Sequence, residues 1–454
     1  MLSGCATFSP DGGFDVVSRQ VEQRIGEKPT WYRSADRAPE VAKRIEAMLA
    51  EPLTVENAVR IALLNNPGLQ ASLAELRIAE ADLVRAGRLR NPGFSYARLT
   101  RGDEVEIERT VFFDVLGLFT LPIRTRIASR LFEQAKLQAA ASVLAVAAET
   151  RRAYYAAIAA QQSEQYLEQV KETAIAGAEL ARRMAEVGNF SRLQQARQQV
   201  FYAEATARLA RARQVTLSER ERLTRLLGVA GTQPAFKLPE RLPDLPASAR
   251  EAADLESQAL KDRLDVQAAH LENEGVARSL GLTKVTRFIN VLELGVIRNS
   301  SNEAPRQRGY EIELQIPLFD WGSARVAKAE AIYLQSAYRL RETALNARSQ
   351  VRETYHGYRT AFDLAKHYRD EVVPLRKRIS EENVLRYNGM LISTFELLAD
   401  AREQVAAVNN YIEALRDYWI ADTDLHTALS VRSPGPAKGV TATTAPADSS
   451  AGGH

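Results

Sequence analysis

The feature that most constrains this 454-residue chain is a helical pattern too long for a globular domain. In residues 125–187, Ala, Leu, Ile and Tyr recur at three- and four-residue spacing without a proline, and residues 322–387 repeat the pattern with Pro374 near the end. At about 1.5 Å per residue, each segment predicts a helix of roughly 95 to 100 Å. Such helices cannot fold back into a globule, so we expect an elongated, mainly α-helical architecture.

Shorter helical segments accompany each long one. They cover residues 54–88 and 191–227 in the first half of the chain, and residues 248–280 and 393–429 in the second half. Each short pair sums to about 70 residues, close to its long neighbour, so two short helices placed end to end could line one long helix in an antiparallel bundle.

Two segments of different character lie between the helices, at residues 91–119 and 283–319. In the first, Val105 and Ile107 alternate with acidic residues, and in the second Ile312 and Leu314 do the same. Pro92-Gly93 and Arg101-Gly102-Asp103 supply turn signals in the first segment. Each segment therefore predicts a β-hairpin whose strands have the length that suits a bilayer, about 9 to 11 residues.

The order of elements occurs twice, which indicates an internal duplication. We predict an N-terminal arm over residues 1–50, a first repeat over 51–237, a second repeat over 238–431 and a disordered tail over 432–454. The clearest residue-level correspondence is Gln195 to Val200 against Asp400 to Val405, each downstream of a Gly and a Ser. The distance from the Gly to the shared Ala-Arg differs by about one helical turn, which predicts that the two turns do not superimpose.

Four strands cannot close a barrel alone, and an open sheet edge is not tolerated in hydrocarbon. Three copies would supply twelve strands, enough for a closed membrane barrel, with three sets of helices forming a hollow cylinder beneath it. On this hypothesis one set of strand residues faces lipid: Val105, Ile107, Val111, Val115, Ile312, Leu314 and Ile316. The opposite set faces a water-filled lumen: Glu104, Glu106, Glu108, Glu311 and Glu313. The alternative for the strands alone is a soluble sheet with one solvated face.

Several kinds of chemistry are excluded by the residues present. The single cysteine, Cys5, allows neither an internal disulfide nor a cysteine metal cage, and none of the five histidines pairs at metal-ligand spacing. Phosphate-binding glycine loops and nucleophile elbows are missing, and the formal charge of +3 is spread without a basic block. We therefore expect no enzyme activity, no cofactor, no metal and no nucleic-acid partner. No apolar run is long enough for a transmembrane helix.

The sequence resembles the TolC-type outer membrane efflux family over residues 53–429. The resemblance is carried by Leu53 to Ala58 running to Asn66-Pro67, by Ile316 to Gly322 with Arg325, and by the two Gly/Ser turns. It implies a homotrimer with a twelve-stranded outer-membrane barrel and a periplasmic helical tunnel, which meets an adaptor protein and an inner-membrane pump. The stretch Leu116 to Phe119 departs from the pattern of the family, so the end of the second strand stays open.

The resemblance also assigns roles at the tip of the tunnel. It places the adaptor contacts in the turns, at Gly188, Asn189, Ser191, Gly389, Met390 and Ser393. It makes Glu396 the nearest match to a gating carboxylate ring, with Asp400 one turn further on. Carboxylates brought together by threefold symmetry would repel one another and favour cations. The alternative is that both are ordinary acids on a solvated helix face.

The N-terminal residues Met1 to Ala6 match the end of a bacterial lipoprotein signal, which predicts lipidation of Cys5. The resemblance independently implies an outer-membrane location. Two alternatives remain open. One is a soluble coiled-coil scaffold, which predicts sustained heptads that the drifting, Ala-rich stripe does not show. The other lies within the channel class, a duct for type I protein secretion, because substrate choice belongs to the pump.

Overall fold

A computed structural model describes residues 7–32, 38–229, 236–251, 254–288, 291–314 and 319–432. Within them the chain is mostly helical and carries one four-stranded sheet, which confirms the mainly α fold with four strands per chain. The helices and strands follow one another in chain order: α1 (Phe14–Ile25), α2 (Ala38–Leu49), α3 (Val55–Asn65), α4 (Pro67–Ala86), β1 (Gly93–Arg101), β2 (Glu104–Asp114), α5 (Val115–Glu186), α6 (Arg192–Leu227), α7 (Leu255–Asp262), α8 (Leu264–Val285), β3 (Leu292–Ser301), β4 (Gln307–Leu314), α9 (Ser323–His367), α10 (Val373–Asn388) and α11 (Thr394–Ser430).

The two long helices are present. α5 has 72 residues, which corresponds to about 108 Å. In the second half, α9 runs into α10 through a π-helical turn at Tyr368–Val372, directly before Pro374. Proline has no backbone N–H and its ring crowds the preceding turn, so the local change of helical pitch lets the long helix continue through it.

The short helices lie end to end along α5. Leu69 and Leu73 of α4 pack against Ala140 and Val143 of α5, while Leu209 of α6 belongs to a cluster farther along α5. The break between α3 and α4 at Asn66-Pro67 explains how the ends meet. Asn66 Nδ2 donates to the carbonyl of Leu226 (2.9 Å), and Asn66 Oδ1 caps α4 by accepting from the Leu69 N–H (2.9 Å).

The second half has an equivalent junction built from different chemistry. Arg263 lies between α7 and α8, is fully buried, and donates from Nη1 to the carbonyl of Ala428 near the end of α11 (3.1 Å). Its guanidinium also binds Asp265 through two hydrogen bonds of 2.9 and 2.7 Å. Asn66 in the first half and Arg263 in the second therefore hold the helix ends together.

The four strands form one antiparallel sheet in the order β1-β2-β3-β4. The two hairpins thus join edge to edge through β2 and β3. Asn302, in the loop after β3, strengthens the join: its Nδ2 donates to the carbonyl of Asp103 and its Oδ1 accepts from the Val105 N–H, both at 2.8 Å.

The predicted limits of both hairpin segments were too wide. β2 ends at Asp114, whose carboxylate accepts from the Gly117 N–H (2.6 Å) and caps α5, so the prediction of Val115 as a strand residue facing lipid was wrong. The alternation of apolar and polar residues continues from β2 into the first turn of α5, so it does not mark the end of the strand. In the second segment α8 continues to Val285, and Ile316 lies outside the described residues.

A tight turn at Gly322 connects the segment after β4 to α9. Gly322 has a φ of +75°, and a Cβ at this position would lie 2.6 Å from the carbonyl oxygen of Arg287. Arg325 Nη2 donates to the same carbonyl at 2.7 Å, and Asp320 Oδ1 accepts from the Gly322 N–H at 2.8 Å. These contacts turn the chain from the sheet into α9.

Candidate functional site

The strand register divides the sheet into two chemically different faces. Phe94, Val111, Val296 and Tyr310 lie directly opposite one another across all four strands, and Phe113, Leu294 and Ile312 form the next row toward the helices. We call this side the apolar face; its hydrophobic members are Phe94, Tyr96, Val105, Ile107, Val111, Phe113, Leu292, Leu294, Val296, Tyr310, Ile312 and Leu314.

The opposite side carries every carboxylate of the described strands, and we call it the acidic face. The five acids expected in the lumen, Glu104, Glu106, Glu108, Glu311 and Glu313, all lie there. Asp114 and Glu293 join them, and Glu293 lies directly between Asp114 and Glu313 in one row. The alternation of residues along a strand predicts the face on which each acid lies. The row of Asp114, Glu293 and Glu313 depends on the pairing of β2 with β3, which the sequence does not predict, so Glu293 was missed.

The two faces of β3 differ in accessibility. Leu294 and Val296 on the apolar face are 40% and 53% exposed, whereas Gly295 between them, on the acidic face, is buried. A Cβ on Gly295 would meet Thr110, Phe112 and Glu311 side-chain atoms at 3.1 to 3.3 Å. The acidic face is therefore the more crowded of the two at β3.

Large hydrophobic side chains on the apolar face are not covered by any of the described residues. Phe94 is 67% exposed, Tyr310 77% and Ile312 61%. A contiguous exposed apolar surface of this kind marks a contact with protein or membrane rather than with water. The outer edges of the sheet are also open, because β1 and β4 each pair on one side only among the described residues.

The turn between α5 and α6 is a helix end stabilised by backbone hydrogen bonds. Gly188 has a φ of +80°, the Asn189 N–H donates to the carbonyl of Met184 (2.8 Å), and the Gly188 N–H donates to that of Ala185 (3.1 Å). This is the Schellman pattern, which requires a left-handed residue after the helix.

The turn between α10 and α11 has the same pattern with a different residue in the left-handed position. Met390 has a φ of +61°, its N–H donates to the carbonyl of Tyr387 (3.0 Å), and the Leu391 N–H donates to that of Arg386 (2.8 Å). Gly389, by contrast, has a φ of −79°. The structural equivalent of Gly188 is therefore Met390, not Gly389.

Each turn then leads into its next helix through a serine cap three residues after the left-handed position. Ser191 accepts from the Gln194 N–H (3.2 Å) and Ser393 accepts from the Glu396 N–H (3.3 Å). The prediction that the two turns do not superimpose was therefore wrong, because both turns have the same hydrogen-bond pattern. The shift of about one helical turn between the two Ala-Arg copies arises within α6 and α11.

The two gate candidates lie in different environments. Glu396 is exposed, in the first turn of α11. Asp400 is 7% exposed, and both of its carboxylate oxygens lack a hydrogen-bond partner among the described residues. Cys5 lies outside the described residues, as does the tail after Arg432.

No group of histidine, cysteine, aspartate and glutamate side chains among the described residues is arranged to hold a metal ion. None of the described helices is long and apolar enough to cross a membrane.

Comparison with solved structures gives the fold a name. The outer-membrane channel OprN matches with a TM-score of 0.71 at 16% identity, covering 85% of this chain and 92% of that one. The outer membrane protein VceC from Vibrio cholerae matches with a TM-score of 0.68 at 14% identity, covering 83% and 95%. The MtrE outer membrane channel from Neisseria gonorrhoeae matches with a TM-score of 0.67 at 17% identity, covering 83% and 88%.

The chain has the outer-membrane channel fold. The resemblance to TolC-type efflux proteins is thereby confirmed at the level of the fold. Comparison of the sequence with family models and with curated proteins gives no match. The similarity is therefore one of three-dimensional structure at low sequence identity.

Proposed function

We propose that this chain is the outer-membrane channel of a tripartite export system. Three copies form a twelve-stranded barrel in the outer membrane and a helical duct through the periplasm. The duct is passive, and an inner-membrane pump delivers substrates to it through a periplasmic adaptor. On this proposal the protein is not an enzyme and uses no cofactor.

The observation that carries the proposal is the division of the sheet into an exposed apolar face and an acidic face at the end of helices of about 100 Å. A closed barrel resolves both unfavourable features of the single chain. Lipid covers the exposed apolar face, and β1 of one copy pairs with β4 of the next, so that no strand edge stays open. The acids then face water in the lumen.

The remaining assignments follow from this placement. The turns at the far end of the helices contact the adaptor through Gly188, Asn189, Ser191, Gly389, Met390 and Ser393. The exposed Met390 (94%) and Leu391 (77%) give that end an apolar surface suited to a protein partner. Glu396 and Asp400 would narrow the entry electrostatically. Lipidation of Cys5 would add a second attachment to the outer membrane.

The first experiment tests assembly and conduction together. The full-length protein, preceded by a functional signal sequence, is extracted from the outer membrane in detergent, run unboiled on a gel and reconstituted into planar bilayers. We expect a trimer with stepwise, cation-selective conductance. A soluble dimer that does not insert would overturn the channel and support the coiled-coil scaffold.

A second experiment isolates the gate. Asp400→Asn and Glu396→Gln remove the charge at nearly constant volume, and Gln198→Glu adds a carboxylate at the matching position of the first repeat. We expect the neutral variants to lower the open probability and Gln198→Glu to raise it, because carboxylates that are close together in the closed state repel one another. Unchanged gating in all three variants would show that these positions only pack.

The same trimer separates the two export classes. Adaptors of drug or metal efflux pumps and adaptors of type I secretion systems are each tested for binding to it. We expect capture by an adaptor of the first class through the two turns. Exclusive capture by a secretion adaptor would instead identify the chain as a duct for type I protein secretion.

A further inference from the structure

A row of arginines crosses the apolar face. Arg109, Arg298 and Arg308 lie directly opposite one another on β2, β3 and β4. Arg98 of β1 lies on the same face, opposite Ile107 and therefore diagonal to Arg109. All four side chains are exposed.

The described part of the chain provides no counter-charge for this row. No carboxylate lies on the apolar face of the described strands, because all seven point to the acidic face. Among the described residues none of the four arginines has an ion pair or a hydrogen bond. Neighbouring strands are only about 4.8 Å apart, and like charges directly opposite one another repel. A row of three such residues therefore calls for an anionic partner from outside the chain.

The position of the row along the strands indicates where that partner lies. Between the row and the helices, the apolar face carries only hydrophobic side chains in the rows of Val111, Phe113 and Leu292. Arginine on a lipid-facing strand is poorly tolerated in the middle of a bilayer and well tolerated at its surface. Ile107 and Val105 lie beyond the row on β2, so the row lies in the outer part of the apolar face, from which extended arginine side chains reach the membrane surface on the side away from the helices.

Tyrosines flank the row as they flank membrane boundaries. Tyr96 lies in the row itself, opposite Arg109, and Tyr310 lies two residues from Arg308 on β4. Tyrosine is enriched at the headgroup level, where its ring contacts hydrocarbon and its hydroxyl contacts water.

We infer that Arg98, Arg109, Arg298 and Arg308 bind the phosphate groups of outer-leaflet lipids. This inference rests on the proposed channel function, because it requires the apolar face to contact lipid. Guanidinium groups suit the partner, since each can donate two parallel hydrogen bonds to one phosphate. In the trimer each chain contributes such a row, so the barrel is held at a fixed depth by lipid headgroups.

The test compares lipids retained by the trimer. The full-length protein is reconstituted into vesicles of four parts phosphatidylcholine and one part phosphatidylglycerol, re-extracted in mild detergent, and the bound lipids are quantified by mass spectrometry. A basic residue at an anionic membrane surface favours binding by about fivefold. We therefore expect the wild-type trimer to enrich phosphatidylglycerol at least fivefold over the vesicle ratio.

Three variants identify the residues. R109Q/R298Q/R308Q is expected to return the lipid ratio to that of the vesicles, whereas R109K/R298K/R308K is expected to keep most of the enrichment. The matched control, R101Q/R208Q/R211Q, removes three charges from the acidic face and α6 and is expected to behave as wild type. Equal loss in the control, or full enrichment in the glutamine variant, would overturn the inference.

Two further arms separate the sources of failure. Excess inorganic phosphate is expected not to displace the lipid, because the tails anchor the headgroup beside the row; complete displacement would show binding of free phosphate instead. Insertion is scored in the same samples by resistance to alkaline extraction. An inserted trimer without enrichment refutes only the lipid site, whereas failure of the wild type to insert refutes the channel itself.

Discussion

Replacing Arg263 by methionine should loosen the junction that holds the end of α11. The guanidinium is fully buried and joins three elements, through Asp265, the Gln350 side chain (3.0 Å) and the Ala428 carbonyl. Removing one partner of a buried ion pair costs about 3 to 5 kcal/mol. The Asp265 side chain is 24% exposed, so water can reach the remaining carboxylate, and we expect about 3 kcal/mol, the lower end of that range.

Amide hydrogen exchange of the assembled protein measures this loss locally. A decrease of about 3 kcal/mol in the free energy of opening accelerates exchange by roughly a hundredfold. The effect should be concentrated in the last turns of α11 and in the first turn of α8. Arg213→Met is the matched control, because Arg213 makes an exposed ion pair with Glu168 on the surface of the α5–α6 hairpin, where a pair is worth less than about 1 kcal/mol.

The double variant Arg263→Met with Asp265→Asn supplies the decisive comparison. If the ion pair is the origin of the loss, the double variant should be more stable than the sum of the two single effects implies, because neither charge is left alone. Exchange in Arg263→Met no faster than in Arg213→Met would refute the reasoning. It would mean that the end of α11 is held by its apolar contacts.

Three further predictions concern other parts of the molecule. Replacing the acids of the acidic face by glutamine should lower the cation selectivity of the reconstituted channel, since it removes fixed negative charge from the lumen: Glu106, Glu108, Glu311 and Glu313. Burial lowers the pKa of His426, which faces Arg250, Arg151 and Asp422, below its ordinary value of 6.5. The neutral ring therefore stabilises the fold above pH 6.5, and this stabilisation is lost as the pH falls below 6.5. Thermal unfolding should show the loss, and His426→Gln should remove it. Met390→Gly should protect its turn from amide exchange by about 1 kcal/mol, and Gly188→Ala should expose its own turn by a similar amount, because both positions have positive φ.

The contrary outcomes are equally specific. A cation selectivity that rises in R109Q/R298Q/R308Q would show that the apolar face also contacts the lumen, because removing fixed positive charge from a lumen favours cations. An unfolding temperature that rises as the pH falls below 6.5 would show that the fold stabilises the protonated form of His426, contrary to this prediction. A Met390→Gly variant no better protected than the wild type would indicate that side-chain contacts of Met390 offset the backbone strain.

The helices and the faces of the strands could be predicted from the sequence because each depends on a local period. The period of 3.6 residues placed the long helices within a few residues at their distal ends, and the period of two placed Glu104 and Glu313 on one face. The start of α5 was missed because the apolar run Leu116 to Phe119 fits either structure, and the cap from Asp114 to Gly117 decides it. The burial of Arg263 and Asp400 could not be predicted, since it arises from helices far apart in the sequence.

The structural alignment of the two turns also changes what the repeat means for the gate. Counting from the serine caps, Gln194 corresponds to Glu396 and Gln198 to Asp400. Gln198 and Asp400 are both buried, at 5% and 7% exposure, so the two repeats place a polar side chain in the same kind of position and differ only in its charge. In a trimer, amides and carboxylates would therefore alternate around the entry, and all of the negative charge would come from the second repeat. In the proposed trimer, repulsion between these carboxylates would favour separation of the α10–α11 hairpins and would not act between their α5–α6 neighbours.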